Sequence, residues 1–392
     1  LAEVNIDSIQ EALVAAGLDG WLFFDHHKRD PLAYRILDIP LDVSATRRWY
    51  YFIPAHGEPK RLVHQIESGT LDSVPGSKSV YSSWEDQQQR LAALLTGANV
   101  IAMQYSPQCA IPYVSLVDAG TIELVKKCGV QVVSSANLVQ QFEARWTDAQ
   151  LQMHLEAGRR VDQARREAFD FIGERVRSGE SVNEYEVQQF MCMRFAQLEV
   201  TAEHGPTVAV NANASDPHYE PSSERHSPIN KGDNVLIDCW AKLIQPHAVY
   251  YDIAWVGFCG DVAPAEVQNV FEVVREARIK ACSFVIEKVA AGQPIAGFQV
   301  DDVARGLVTE RGFGDYFFHR TGHSIGEDVH GTGANMDNFE CHDERKIIPG
   351  SCFSIEPGIY LPAFGIRSEV NVFVSKTSAQ VTGQEQEKVV LI

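Results

Sequence analysis

Asp238 lies in the run Val235-Leu236-Ile237-Asp238-Cys239-Trp240, and Asp252 lies in Tyr250-Tyr251-Asp252-Ile253-Ala254-Trp255-Val256. Both runs are rich in strand-forming residues, where a charge needs a reason. If they pair as a hairpin turning about Gln245 and Pro246, Asp238 faces Asp252. Directly opposed side chains have Cβ atoms roughly 4.5 to 5.5 Å apart, and like charges there are destabilising unless a cation compensates them. The pattern recurs downstream. Phe353-Ser354-Ile355-Glu356-Pro357-Gly358-Ile359-Tyr360 is followed by Gly365-Ile366-Arg367-Ser368-Glu369-Val370-Asn371-Val372, with Leu361 to Phe364 as the turn, so Glu356 and Glu369 again stand across a hairpin. Four carboxylates of this kind suit a divalent cation such as Mn²⁺, and a histidine widens the range to Co²⁺, Fe²⁺ or Zn²⁺. His323, in the glycine-flanked stretch Gly322-His323-Ser324-Ile325-Gly326, is such a histidine. Each group taken singly has a plainer reading: an acid in a strand as a salt bridge or edge residue, a histidine near glycine as a loop residue, Glu-Pro-Gly as a turn. Spacing alone leaves both readings open.

The elements that must hold these residues follow from periodicity. The first half alternates helical and extended patterns, as in Ile9 to Ala16 ending at Gly17 and then the apolar run Gly20 to Phe24, which predicts a small α/β domain. Near Arg145 the pattern changes, and Thr147 with Gln150 forms a capping box that opens a long helix towards Ser178. Domains over 1–145 and 146–392 are expected on this basis. Asn183 with Glu186 caps a second helix to about Leu198, and a third helical stretch runs from about Pro264 to Ala290. Asn211 to Asn230 reads as a long loop, which inside a compact domain usually serves function. The remainder reads as strands, so the fold class is α+β.

Composition narrows the possibilities. With 52 Asp plus Glu against 34 Lys plus Arg, the net charge of -18 repels a polyanion, and no nucleic-acid partner is expected. Apolar runs fall far short of the roughly 20 residues that span a bilayer, so no membrane segment is expected. The eight cysteines form no C-x-x-C pair and read as reduced and structural. Leu1 to Gln10 lacks a basic stretch followed by an apolar one, so no signal peptide is read there and a cytoplasmic location is expected.

Taken in order, Pro217-His218-Tyr219, Leu236-Ile237-Asp238, Tyr251-Asp252-Ile253, Gly322-His323-Ser324-Ile325-Gly326 with Asp328-Val329-His330, Ile355-Glu356-Pro357-Gly358-Ile359-Tyr360 and Gly365-Ile366-Arg367-Ser368-Glu369 resemble the pita-bread metallopeptidases of the prolidase (Xaa-Pro dipeptidase) and aminopeptidase P type. The likeness covers about Trp146 to Ile392, and the first half resembles the creatinase/prolidase N-terminal domain. The resemblance implies two divalent metal ions, Mn with Co or Zn as substitutes, in which Asp252 and Glu369 bridge the pair, Asp238 completes one site, and His323 with Glu356 completes the other. It implies hydrolysis by a metal-bridging hydroxide, with Glu356 taking the proton and His218 and His330 flanking the scissile amide. It places His319 and Arg367 near the proline side with Tyr360 in support; Arg367 is read equally well as a partner orienting Glu369, and His319 as a packed core histidine.

The activity implied is cleavage of Xaa-Pro dipeptides by a homodimer, with an aminopeptidase P acting on longer Xaa-Pro peptides as the alternative and a non-peptidase pita-bread protein as a further one. This sequence departs from the family pattern at several positions. The turn between Asp238 and Asp252 is long, Ala254 stands where a hydroxyl residue is usual, Ser324 replaces a glycine, and Ser368 and Val370 replace an apolar residue and an acid beside Glu369.

Overall fold

The computed structural model describes residues 5–392. The first four residues, part of the stretch read for a leader, lie outside the described residues. The chain divides into two compact units between Glu143 and Ala144.

The first unit is built on a six-stranded sheet. Its strands are β1 (Gly20–Asp25), β2 (Trp49–Pro54), β3 (Lys60–His64), β4 (Ser77–Tyr81), β5 (Val100–Met103) and β6 (Gln131–Ser134), in the order β4-β3-β2-β1-β5-β6. Alternate residues of the two central strands serve opposite faces. Trp21, Phe23, Trp49, Tyr51 and Ile53 enter one core, while Leu22, Phe24, Tyr50 and Phe52 enter the other. A sheet buried on both faces needs cover on both, and α1 (Ile6–Ala15), α2 (Pro31–Ile36), α3 (Trp84–Leu94), α4 (Ala119–Lys126) and α5 (Ala136–Glu143) supply it.

The second unit opens with α6 (Asp148–Ser178) and α7 (Glu184–Gln197), each started by its expected capping box at Thr147/Gln150 and Asn183/Glu186. Strands β7 (Val200–Thr201), β8 (Thr207–Val210), β9 (Asn234–Leu243) and β10 (Tyr251–Phe258) follow, then α8 (Ala265–Ala290) and α9 (Gly297–Glu310). The last strands are β11 (Ser324–Ile325), β12 (Cys352–Ile355), β13 (Gly358–Tyr360), β14 (Gly365–Arg367), β15 (Val370–Val374), β16 (Ala379–Thr382) and β17 (Val390–Leu391). They form one sheet around β9 and β10, a second in the order β11-β12-β15-β16, and a two-stranded ribbon β13-β14. Helices α6 and α7 pack on the odd-numbered side chains of β9 and β10, such as Val235, Ile237, Tyr251 and Ile253. Leu236 and Val256, on the opposite face, join a core with α8, α9 and the second sheet. Asp238 and Asp252 share the parity of this second set, so strand periodicity alone turns both towards the second sheet.

The hairpin register differs from the expectation. Asp238 pairs with Ala254 and Asp252 with Trp240, a slip of two residues from a direct Asp238–Asp252 pair. The turn is centred on Pro246 itself, and His247 takes a left-handed φ of 59° to close it. A slip of two preserves the face, so the acids become diagonal neighbours rather than opposed ones. The second hairpin keeps the expected register on both sides of its interruption, with Ile355 across from Val370 and Gly358 across from Arg367. Glu356 and Glu369 stand across from each other where the chain passes from one sheet to the other.

Candidate metal centre

Two hydrogen-bonded links, one backbone and one through a side chain, bring the hairpins together. The Glu369 N–H donates to the Ala254 carbonyl at 3.1 Å. The Asn371 amide makes the second link: its Oδ1 accepts from Asp252 N–H at 3.0 Å and its Nδ2 donates to the Asp252 carbonyl at 2.5 Å. Asn371 therefore acts as a side-chain splice between β15 and β10, at the residue whose carboxylate must be aimed.

The third contribution comes from the segment at Gly322. A Cβ there would lie 1.9 Å from the Ser354 carbonyl oxygen, so only glycine lets this segment approach β12. Ser354 N–H then donates to the His323 carbonyl at 2.8 Å, and Ser354 Oγ accepts from His323 N–H at 2.9 Å and donates to Glu356 Oε1 at 3.1 Å. His323 Nδ1 faces the Ser324 carbonyl at 3.1 Å, an acceptor, which holds the ring proton on Nδ1 and leaves the Nε2 lone pair for a ligand.

The result is a buried cluster. Ligand atoms of Asp252, His323 and Glu369 lie within 4.8 Å of one another. His323 Nε2 is 3.5 Å from Asp252 Oδ2 and 3.4 Å from Glu356 Oε1. Burial, then the charge of Asp238, pushes the Asp252 carboxyl well above its usual range; burial and the neighbouring acids do the same to Glu369. Glu356 is raised by burial although His323 and Arg367 pull the other way, and burial lowers His323. Asp238 Oδ1, Asp252 Oδ1 and Glu369 Oε1 are buried with no hydrogen-bond partner among the described residues. Buried carboxylate oxygens left without donors are costly. Hard oxygens with one imidazole nitrogen fit a divalent cation, so the residues present fit the implied metal.

A polar chain runs away from this cluster. Arg367, 3% exposed, donates through Nη2 to Asp238 Oδ2 and through Nη1 to the Tyr360 hydroxyl at 2.8 Å. The Tyr360 hydroxyl meets His319 Nε2 at 2.7 Å, and His319 Nδ1 meets the Arg320 carbonyl at 2.7 Å. With the proton fixed on Nδ1, Tyr360 is the donor to Nε2. Burial first and the Arg367 charge second lower His319 to about 3, and burial pushes the Tyr360 hydroxyl up to about 12. Arg367 thus faces Asp238, not Glu369 as the sequence had allowed. His330 is exposed, and its ring centroid is 4.3 Å from that of His323; a second imidazole so close disfavours protonation of His330. His218, also exposed, sits on the loop after β8, close enough to His330 for its charge to act in the same direction.

Three positioning residues were missed in the sequence. Glu184, fully buried in the first turn of α7, accepts from Val210 N–H, Ser227 N–H, Asn213 Nδ2 and the Tyr219 hydroxyl, and so fixes the loop that carries His218. Asp301, also fully buried, accepts from Thr321 N–H and Oγ1 and pairs with Arg305, which donates to the Phe317 and His319 carbonyls. Asn371 is the third. The departure at Ser324 proves structural: its Oγ accepts from Gly333 N–H at 3.0 Å.

The model of metallopeptidase family M24 matches residues 152–376. The chain is similar to Xaa-Pro dipeptidases of Lactobacillus helveticus, 33% identical over 41% of this chain and 40% of the relative, and of Pyrococcus horikoshii, 32% identical over 46% and 47%. It spans about half the length of these curated relatives. Among solved structures, dipeptidase PepE from Mycobacterium ulcerans superposes with a TM-score of 0.73 at 22% identity over 99% of this chain and 96% of that one. An X-prolyl aminopeptidase from Caenorhabditis elegans, described as a cytosolic enzyme with a di-nuclear active site, gives 0.67 at 17% identity over 96% and 61%. These structures share the expected α+β architecture, with a pita-bread domain following an N-terminal one. With the family model covering the two acid-bearing hairpins and the segment of His323, this chain belongs to metallopeptidase family M24.

Proposed function

We propose that this protein is a peptidase that hydrolyses the bond before proline, in Xaa-Pro dipeptides, with two divalent cations held by Asp238, Asp252, His323, Glu356 and Glu369. The observation that carries the reading is the set of three buried carboxylate oxygens, on Asp238, Asp252 and Glu369, with no partner among the described residues, two of whose carboxylates, Asp252 and Glu369, cluster with the His323 imidazole. The names of the similar dipeptidases support the substrate class. Bound there, divalent cations such as Mn²⁺ would acidify water to near neutrality and polarise the scissile carbonyl. The chain's own residues do the rest. Glu356, raised by burial, accepts the nucleophile's proton at Oε1, the oxygen that Ser354 Oγ also reaches. His218 and His330, both exposed, hold the amide and stabilise the developing negative charge. Arg367 is occupied by Asp238 and Tyr360, so its first role is to orient Asp238; a substrate carboxylate meets the His319–Tyr360–Arg367 chain as a relay rather than a bare guanidinium. The first unit acts as a creatinase-type N-terminal domain, and the protein works as a cytoplasmic homodimer.

The test is hydrolysis of an Xaa-Pro dipeptide and a matched Xaa-Pro-Xaa tripeptide by Mn²⁺-loaded protein, beside a Glu369→Ala variant. Cleavage of the dipeptide alone, with metal content and activity both lost in the variant, is the expected result. Tripeptide cleavage would assign an aminopeptidase P activity instead, and metal binding without either cleavage would rule out the peptidase reading.

A further inference from the structure

The first unit contains a cavity of about 540 Å³ that the peptidase reading does not use. That volume lies within the range of ordinary small-molecule sites. Its wall gathers Arg29, Arg47, Arg48, His26 and His64 from three separate segments, in a chain whose net charge is -18. Among the described residues none of the three arginines forms an ion pair; Arg47 Nη1 meets only the neutral Thr46 Oγ1 at 2.8 Å. The single carboxylate in the wall, Asp118, accepts from Thr121 N–H and Oγ1 at 2.9 and 2.8 Å and lies near enough to Arg29 to feel its charge, which leaves one negative group in the wall against three arginines.

The acids that hold the two arginine-bearing loops also turn their oxygens elsewhere. Asp25, 1% exposed, accepts from the N–H groups of Lys28, Arg29 and Asp30 and from the Tyr34 hydroxyl. This latch sustains a turn in which His27 and Lys28 hold left-handed φ values of 66° and 56°, a conformation that non-glycine residues keep only when their surroundings enforce it. Glu67 accepts from Ser44 Oγ, Thr46 N–H and Oγ1, and Arg47 N–H, fixing the second loop. The loops are tied to each other by His27 N–H to the Ala45 carbonyl at 2.8 Å, and the Tyr81 hydroxyl donates to the Arg48 carbonyl at 2.7 Å. Cations brought together by strained, latched backbone, with Asp25 and Glu67 committed to that backbone, form a preorganised receptor for a negative group.

We propose that this cavity binds a small oxyanion, the phosphate or carboxylate group of a small molecule, held by the half-buried Arg48 together with the exposed Arg29 and Arg47. The inference is independent of the peptidase reading. Calorimetric titration of the full-length, metal-loaded protein at low salt, with inorganic phosphate in one arm and succinate in the other, tests it. Saturable binding of at least one anion is expected, weakened at least tenfold in an Arg29→Gln/Arg48→Gln variant. Binding of phosphate alone assigns a phosphate ligand, and binding of succinate alone a carboxylate. Binding of neither, or binding that the variant leaves unchanged because the anion sits at the metal centre, overturns the proposal. Should the double variant fail to fold, Arg48→Lys replaces it: the ammonium keeps the charge but not the two-pronged fork. At least a threefold weakening is then expected, and unchanged affinity rejects the site.

Discussion

Glu369 shows what the buried cluster demands of one side chain. It is 2% exposed, its Oε1 has no partner among the described residues, and burial followed by the charges of Asp252 and Glu356 raises its carboxyl well above the usual range. Such a group stabilises the fold only when a cation is present. In chelator-treated protein at neutral pH, Glu369→Gln should therefore raise the thermal midpoint, with a gain on the order of 1 kcal/mol, while in metal-loaded protein the same change should lower it. Thermal unfolding with and without chelator measures both; a midpoint lowered in both conditions would mean that the protein alone satisfies the carboxylate. The neighbouring Ser368 makes a different demand. Its Oγ accepts from Nη1 of the fully buried Arg278 at 2.7 Å, while among the described residues Arg278 Nε and Nη2 have no hydrogen-bond partner and Nη2 has only a longer ion pair, 3.6 Å to Glu385. This accounts for a hydroxyl where the family pattern has an apolar residue. Ser368→Ala should cost about 1–3 kcal/mol by leaving the guanidinium with still less to bond, which denaturant unfolding would register.

At the scale of elements, the site exists because two hairpins remote in sequence are spliced by one amide. Removing both Asn371 bonds with Asn371→Leu should leave the hairpins folded but let Asp252 drift, weakening metal affinity roughly 10 to 100-fold. Competition against a calibrated chelator measures this, and unchanged affinity would show that the Glu369–Ala254 backbone bond suffices. The splice also marks how far the sequence could be read. Asp238, Asp252, Glu356 and Glu369 stood out because acids in apolar alternation violate the strand pattern, and the capping boxes at Thr147 and Asn183 announced α6 and α7 because their chemistry is local. The register of β9 and β10 was missed by two residues because a left-handed His247 shifts the centre of the turn, and nothing in Gln245-Pro246-His247 says so. Glu184 and Asp301 were invisible for a related reason. An acid in a helix is usually solvated, and only tertiary packing surrounds these two with donors from loops many residues away.

The whole molecule adds a pH dependence that no one element carries. His154 of α6 is fully buried, with Nδ1 2.7 Å from the Tyr250 carbonyl and Nε2 2.7 Å from Thr382 Oγ1, so one ring joins the helix to the ends of two sheets. Burial lowers it to about 4. Between an unfolded value near 6.5 and that folded value, the unfolded chain binds a proton that the folded chain refuses, so stability falls as pH drops through this window, by about 3 kcal/mol in all. Denaturant unfolding of wild-type and His154→Gln protein from pH 7 to pH 4.5 should differ in slope by close to one proton; equal slopes would exclude His154 as the source. No helix among the described residues is long and apolar enough to cross a membrane. The separation of the two hairpins along the chain has one more consequence, in the order of synthesis. Asp252 leaves the ribosome 117 residues before Glu369, which at typical elongation rates is roughly 6 to 23 s. The nascent chain enters that interval with two of the five proposed ligands, and His323 and Glu356 follow before Glu369, so under the proposed function the complete set exists only once the second hairpin has been made.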